Sequence, residues 1–201
     1  MYIARILYPV QVLGPGNRVG IWFCGCDHHC DGCSNPELWE PRERYRTDTD
    51  TLRMLLGEIY SAGPVDGFTL TGGDPFFQPE ALDEILNLIR PASSDILVYT
   101  GYTYEDLKER YPDILDKIGV LIDGPYIRQR NNGIPLRGSD NQRLLFLDPS
   151  LRDRYETYTS REENRIQNFT TMDGVISVGI HRDDYESQVD FILRQKGLKA
   201  K

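Results

Sequence analysis

Short apolar runs alternate with amphipathic stretches along most of the chain. Runs rich in β-branched and aromatic residues predict strands at 18–23, 67–71, 95–99, 119–122, 143–147 and 175–180. Apolar residues that recur every three or four positions predict helices over about 50–62, from Pro79 to Pro91, over 103–110 and over about 184–196. Strands that alternate with helices are typical of βαβ units, so the pattern predicts an α/β fold with a mostly parallel sheet.

The pattern also indicates how the chain is organised. Its 201 residues exceed the length of one average domain only slightly, and no low-complexity linker or internal repeat divides them. We therefore expect a single domain over 1–201, with a motif-bearing core at about 15–147 and a C-terminal extension, 148–201, that completes the sheet. The glycine-rich polar segments follow strands, and ligands of α/β sheets lie beyond the carboxyl ends of strands. These segments are expected to meet at one edge of the sheet.

Charge and hydropathy exclude some classes of function. The chain has 23 Lys and Arg against 31 Asp and Glu, a net charge of −8, which argues against broad coating of nucleic acid or an anionic membrane. A local basic patch is still compatible with this balance. The N-terminus does not resemble a signal peptide, and no segment approaches the roughly 18 apolar residues of a membrane span. We expect a soluble cytoplasmic protein without nucleic-acid or membrane partners.

All four cysteines lie within ten residues, in the segment FCGCDHHCDGC that starts at Phe23. Cysteines this close together cannot join distant parts of the chain, and in a reducing compartment such clusters more often bind metal or carry out redox chemistry. Cys26, Cys30 and Cys33 form the spacing C-x3-C-x2-C. Cys24 is additional to this motif and is interpreted first as a buried thiol at a strand end.

Two metal centres are compatible with this loop. A structural zinc site needs four closed ligands, and the fourth would have to be Cys24, His28 or His29. Three thiolates on one loop instead suit a 4Fe-4S cluster in which one iron has no cysteine ligand. Spacing alone favours the cluster by about two to one, on ligand count.

Four sequence blocks carry a resemblance to a known family. The C-x3-C-x2-C motif resembles the signature of the radical S-adenosylmethionine (SAM) enzymes, and CDGCSNPELW is similar to the cluster loop of anaerobic ribonucleoside-triphosphate reductase activating proteins. LTGGDPF resembles the SAM-binding motif of that family, and VYTGYTYEDL and VLIDGPYIRQRNNGIPLRGSDNQRLL are similar to two further blocks. The blocks follow in the family's order and span about residues 15–147, whereas 148–201 matches only loosely.

The resemblance implies a fold and a chemistry. It implies a partial, laterally open (βα)n barrel of the radical SAM type, which suits a protein loop better than an enclosed small substrate in a chain this short. It implies a 4Fe-4S cluster whose open iron binds SAM and, once reduced, cleaves it to a 5′-deoxyadenosyl radical. That radical would take a hydrogen atom from a glycine of a partner enzyme.

The resemblance also implies roles for individual residues. The cluster ligands would be Cys26, Cys30 and Cys33, and the SAM contacts would be Gly72, Gly73, Asp74, Thr100, Asp123 and Asn141. The alternatives are a simple strand-ending turn for the GGDP segment, ordinary caps for Thr100 and Asp123, and a surface loop with an ion pair for Asn141 and Arg137. His181 would either reach the adenosyl group or lie exposed near the C-terminus, and we favour the exposed position.

Three functions are compatible with the sequence. The first is a radical SAM oxidoreductase that installs a glycyl radical on anaerobic ribonucleoside-triphosphate reductase and takes electrons from a donor such as flavodoxin or ferredoxin. The second keeps the cofactors but acts on a different glycyl-radical enzyme, a peptide or a small molecule. The third is a zinc-stabilised interaction module, which leaves the glycine motif and the RGSDNQ segment without a purpose.

Overall fold

Six strands form one open sheet in a computed structural model, which describes residues 1–160, 165–171, 174–182 and 185–195. The strands of this sheet are β1 (Ile3–Val10), β2 (Arg18–Phe23), β3 (Gly67–Gly72), β4 (Ile96–Tyr99), β5 (Val120–Asp123) and β6 (Arg143–Phe146). The helices are α1 (Thr49–Ala62), α2 (Pro79–Ile89), α3 (Tyr104–Arg110), α4 (Pro112–Leu115), α5 (Arg152–Thr159) and α6 (Tyr185–Gln195). Two further strands, β7 (Gln167–Thr171) and β8 (Gly174–Val178), pair only with each other among the described residues.

The sheet follows chain order from β1 to β6. The four central strands, β2 to β5, are parallel, and the outer strands β1 and β6 are antiparallel to their neighbours. This confirms the predicted α/β fold with a mostly parallel sheet, and the sheet is not closed in the described part of the chain. The separate hairpin of β7 and β8 differs from the expectation that residues 148–201 complete the sheet. β7, rich in Thr, Asn and Gln, had no apolar run to mark it.

Helices α1 to α4 pack on one face of the sheet, to which every second side chain of the strands points. The largest apolar cluster joins every second strand residue to the apolar stripes of α1 and α2. Its strand members include Val19, Ile21, Phe68, Leu70, Val98 and Leu121, and its helix members include Leu52, Leu56, Leu82, Ile85 and Ile89. None of the helices in the described ranges is long and apolar enough to cross a membrane.

Two smaller apolar clusters lie on the opposite face. At one side the β7–β8 hairpin packs through Val178 against Trp22 and Leu38. At the other side Tyr155 of α5 packs with Ile122 and other residues of β4 and β5. Trp22 and Val178 of the first cluster and Tyr99, which packs against the second, line the cavity described in the next section.

A buried network of charged and polar side chains lies at the amino end of the parallel strands. Arg18, with no exposed surface, donates to the Thr69 hydroxyl at 2.7 Å and lies 3.1 Å from the Asp95 carboxylate. Tyr155 donates its hydroxyl to the same carboxylate at 2.7 Å, and Arg154 lies 3.2 Å from its second oxygen. Burial raises the pKa of Tyr155, so its hydroxyl stays protonated and remains a donor. This network joins α5 to the sheet.

Removal of the Tyr155 hydroxyl tests whether this network attaches α5 to the sheet. Tyr155→Phe keeps the ring but takes one donor from a buried carboxylate, so the free energy of unfolding should fall by about 1–3 kcal/mol in urea denaturation. Tyr158→Phe on the same helix is the matched control, because its hydroxyl donates to the Gln11 carbonyl at an exposed position. The control should change stability by less than about 0.5 kcal/mol. Equal losses in the two variants would contradict a role of the Asp95 network.

Candidate functional site

The cysteine loop begins at the carboxyl end of β2, and its last residues lie beside its first residues. The amide of Gly25 donates to the Leu38 carbonyl at 2.7 Å, and the amide of Cys26 donates to the Trp39 carbonyl at 2.8 Å. A 3-10 turn over Pro36–Leu38 ends the loop, and the Leu38 side chain is fully buried. The two arms of the loop are therefore hydrogen-bonded to each other and packed on the core, which fixes the positions of the cysteines between them.

Cys26, Cys30 and Cys33 line one cavity of about 210 Å³, and all three are free thiols. Burial raises the pKa of the Cys26 thiol to about 11 and also raises the pKa of Cys30. Without a cation these thiols favour the protonated form, whereas a bound metal stabilises the thiolate. The loop thus presents three soft ligands, one buried and two half-buried, and thiolates are the ligands that hold iron–sulfur clusters.

Cys24 has a different environment. Its side chain is fully buried in the apolar cluster with Trp22, and its thiol lies 3.0 Å from the Glu40 carbonyl, to which it donates. Burial raises its pKa. The structure therefore places Cys24 as a packed strand-end thiol, away from the other three cysteines.

A single metal ion and a 4Fe-4S cluster need different arrangements of donors. In the ranges that the structure describes, no group of three or more His, Cys, Asp or Glu side chains is placed to hold one metal ion. A zinc ion needs such convergence, because its four ligands surround one centre. A 4Fe-4S cluster does not, because each thiolate binds a different iron.

Asp74 joins three loops at the carboxyl edge of the sheet. Its carboxylate, 2% exposed, accepts hydrogen bonds from the Phe76 amide at 2.9 Å and the Gly101 amide at 2.8 Å. It also accepts one from the Thr100 hydroxyl at 3.0 Å, and the His28 Nε2 atom lies 3.2 Å away. The hydrogen bond to Asp74 raises the pKa of His28. One buried carboxylate therefore connects the loops that follow β2, β3 and β4.

The glycines beside Asp74 allow the chain's own backbones to approach each other. A side-chain carbon on Gly73 would lie 2.2 Å from the Gly25 carbonyl oxygen, and one on Gly101 would lie 2.4 Å from the His28 ring. Gly72 has a φ of +114°, in the region that favours glycine. The amides of Gly73 and Asp74 donate to the carbonyls of Phe23 and Gly25, both at 2.8 Å. The glycine motif thus seats the loop after β3 directly on the cysteine loop.

Three of the sequence-predicted SAM contacts, Gly72, Asp123 and Asn141, are not among the residues that line the cavity. Asp123 accepts hydrogen bonds from the Tyr104 amide at 2.7 Å and from Arg143, so it holds the first turn of α3. It points to the helix-covered face because its neighbour Ile122 packs on the opposite one. Asn141 donates to the Pro125 carbonyl at 2.8 Å and braces the loop after β5. In contrast, Gly73, Asp74 and Thr100 line the cysteine cavity.

Apart from His181, the other residues of the cavity wall were missed by sequence reasoning. The loop after β5 supplies Tyr126, Asn131 and Gln142, and the β7–β8 hairpin and its exit supply Ser177–His181. Asn131 links the two walls, since its amide donates to the His181 carbonyl at 2.8 Å and to the Tyr126 hydroxyl at 3.2 Å. His181 is partly buried and its ring stacks on Tyr185 with centroids 4.3 Å apart, so it is not the freely exposed histidine that we favoured. Ser177 and Val178 lie in β8, and the available signal for the others was their position in segments that follow strands.

A groove of about 660 Å³ adjoins the cavity and shares several wall residues with it. The shared residues are Arg5, Cys33, Ser34, Asn35, Tyr126, Asn131, Ser177 and His181. The groove runs between the cysteine loop and β8, whose Val175 side chain is 65% exposed. The groove therefore adjoins the cavity between the cysteine loop and the hairpin.

Replacement of the Asp74 carboxylate tests whether its hydrogen bonds hold the three loops together. Asp74→Asn puts an NH₂ group among donors, so the iron-free chain should lose about 1–3 kcal/mol of unfolding free energy. Asp27→Asn on the same rim is the matched control, because Asp27 is exposed and accepts only a 3.4 Å hydrogen bond from Tyr102. Urea denaturation of both variants measures the difference. A loss below about 0.5 kcal/mol in Asp74→Asn would show that these hydrogen bonds do not hold the loops.

Comparison with known proteins agrees with this geometry. Residues 12–145 match a family model described as a 4Fe-4S single cluster domain, so β7 and β8 lie outside the matched region. An anaerobic ribonucleoside-triphosphate reductase-activating protein of Enterobacteria phage T4 is 39% identical over 144 residues, which cover 69% of this chain and 90% of that protein. Proteins of the same name from Vibrio cholerae serotype O1 and Escherichia coli K12 are 33% and 30% identical over 143 residues, covering 67% of this chain and 92% of each relative. The chain belongs to the family of anaerobic ribonucleoside-triphosphate reductase-activating proteins.

Proposed function

We propose that this chain is the enzyme that activates an anaerobic ribonucleoside-triphosphate reductase, by generating a glycyl radical on it with a 4Fe-4S cluster and SAM. The observation that carries the proposal is the convergence of three free cysteines, in C-x3-C-x2-C spacing, with the loops after β3 and β4 on one cavity. Membership of the activating-protein family supplies the reductase as the partner.

The cluster would be held by Cys26, Cys30 and Cys33, which leaves one iron open for SAM. When bound, cluster and SAM together supply a one-electron reductive cleavage of the sulfonium and a carbon radical able to take a hydrogen atom. The residues of this chain would position the cluster and SAM next to each other and exclude water from them. The burial of Cys26 and the packed arms of the loop serve both purposes.

SAM would lie against the rim formed by Gly73 and Thr100, at the carboxyl ends of β3 and β4. The carboxylate of Asp74 is surrounded by donors of this chain, so we assign it the role of holding this rim in place for SAM. Asp123 and Asn141 would act indirectly, by fixing α3 and the loop after β5. Gly72, which has a positive φ, would allow the chain to turn sharply at the end of β3.

The open side of the cavity supports a macromolecular substrate. Within the described residues the six-stranded sheet does not close, and its cavity lies at the carboxyl edge with a groove of about 660 Å³ beside it. A laterally open partial barrel would provide this arrangement. A glycine-bearing loop of the reductase would enter through this groove. The electron would come from a reduced carrier such as flavodoxin or ferredoxin, in the reducing cytoplasm where free thiols persist.

Loss of one cluster ligand tests the metal site. Cys30→Ala should reduce the iron bound after anaerobic reconstitution well below the roughly four irons per chain of a full cluster, and should abolish SAM cleavage under dithionite. Cys24→Ala is the matched control, because it removes a thiol of the same loop that lies outside the cavity. The control should keep the full iron content. If both variants kept iron and SAM cleavage, the ligand assignment would be wrong.

The reductase itself tests the activity. Anaerobic incubation of the reconstituted chain with SAM, a reductant and the large subunit of an anaerobic ribonucleoside-triphosphate reductase should give a glycyl-radical doublet in electron paramagnetic resonance. A subunit in which the radical-bearing glycine is replaced by alanine should give none, since the doublet arises from that residue. SAM cleavage without a doublet on the intact subunit would point to a different substrate.

A further inference from the structure

The ring of His28 extends from the cysteine loop to the two loops beside it. Its Nε2 atom lies 3.2 Å from the Asp74 carboxylate, and its ring meets the Tyr102 ring edge to face, with centroids 4.5 Å apart. A side-chain carbon on Gly101 would lie 2.4 Å from the same ring. The His28 side chain is 19% exposed and also lines the cavity. It therefore contacts both the loop after β3 and the loop after β4, which carry the rim assigned to SAM.

The same residue faces the cluster ligands through its backbone. His28 lies midway between Cys26 and Cys30, two residues from each. Burial raises the pKa of the Cys26 thiol, and a hydrogen bond from the His28 amide offsets part of this effect. One residue thus contacts a cluster ligand with its backbone and the loops of the SAM rim with its side chain.

The neighbouring histidine has a different environment. His29 is exposed and is not among the residues that line the cavity. Its ring packs against Trp39, with centroids 4.8 Å apart, and its φ is +44°, in the left-handed region. The two adjacent histidines therefore contact different parts of the chain, and within this pair it is His28 that connects the cysteine loop with the loops after β3 and β4.

The proposed reaction needs the cluster and SAM at a set distance from each other. The loop after β2 carries the cluster ligands, whereas the loops after β3 and β4 carry the SAM rim, so this distance depends on how the loops are held together. The amides of Gly73 and Asp74 donate to the carbonyls of Phe23 and Gly25, both at 2.8 Å. Those bonds reach only the start of the cysteine loop, before the first cluster ligand. His28 adds a contact in the middle of the segment that carries the ligands.

We propose that His28 is a positioning residue for SAM: its contacts with Asp74 and Gly101 hold the ligand-bearing segment at the distance from the rim at which SAM reaches the open iron. This inference rests on the proposed function, because it needs both cofactors. His28 acts through the two loops, and no contact of its ring with SAM is required.

The expected kinetic effect follows from this role. Without the His28 contacts, SAM should still bind to the rim but lie displaced from the iron. A displacement of about 1 Å can cost on the order of 10²-fold in rate. The kcat of SAM cleavage should therefore fall by about that factor, whereas KM should change by less than about threefold, because the rim itself is intact.

Three variants of the reconstituted holoprotein test this by SAM cleavage under dithionite, with rates expressed per loaded cluster. His28→Asn is too short to reach Asp74 and should show the fall in kcat. His28→Gln brings an amide N–H to about the position of Nε2 and should recover kcat to within about tenfold of wild type. His29→Asn makes the same substitution one residue later, at a positive φ that Asn tolerates, and should leave kcat within about twofold. All three should keep the wild-type iron content.

A spectroscopic measurement reports the position of SAM without turnover. SAM labelled with ¹³C at its methyl group, bound to the reduced cluster, should show a carbon coupling to the cluster in electron–nuclear double resonance. Because dipolar coupling falls with the cube of the distance, this coupling should weaken in His28→Asn. It should stay at its wild-type value in His29→Asn.

The outcomes are distinct. Wild-type kcat and coupling in His28→Asn would overturn the inference and leave the proposed function intact. A loss of iron in His28→Asn with an unchanged rate per loaded cluster would assign His28 to cluster retention, and would also overturn it. Equal losses in His29→Asn, or no recovery in His28→Gln, would show that the contact with Asp74 is not the cause. Failure of the wild-type chain to bind iron or to cleave SAM would overturn the proposed function, and this inference with it.

Discussion

The carboxylate of Asp74 is the constraint on which the site depends. It is buried, and it accepts hydrogen bonds from the loops after β3 and β4 while His28 of the cysteine loop lies 3.2 Å from it. A buried carboxylate is costly unless donors surround it, so these loops adopt the positions that satisfy it. The cysteines, the glycine rim and Thr100 thereby face one cavity, although each is carried by a different strand end.

The sheet has a second buried charge at its opposite end, with a different consequence. Arg18 and Asp95 form a closed network with Thr69 and Tyr155 at the amino ends of the strands. Every partner there is a residue of this chain, and the network joins α5 to the sheet. At the carboxyl end the chain's donors satisfy Asp74, but the thiols of Cys26, Cys30 and Cys33 remain available to a ligand. One end of the sheet is thus built for stability, and the other for cofactor binding.

The cavity combines the shared domain with a part outside it. The region matched by the 4Fe-4S single cluster domain, 12–145, supplies the cysteines and the rim, whereas the hairpin of β7 and β8 supplies the wall from Ser177 to His181. Val178 holds this hairpin on the core beside Trp22, and Asn131 hydrogen-bonds to the His181 carbonyl. The lateral groove lies between the two parts, so the C-terminal residues help to define what can approach the cluster.

The sequence by itself determined the alternation of strands and helices, the parallel centre of the sheet and the cysteine motif, because periodicity and ligand spacing are local properties. It also placed Gly73, Asp74 and Thr100 at strand ends, which the sheet then brings to one edge. Only the tertiary structure decided that Asp123 turns to the helix face and that Trp39 and the hairpin form walls. These outcomes depend on contacts between residues far apart in the chain, such as Asn131 with His181, whose sequence separation is 50. Pattern and propensity act over a few residues and cannot encode such pairs, which follow from strand order, side-chain direction and the need to satisfy buried polar groups.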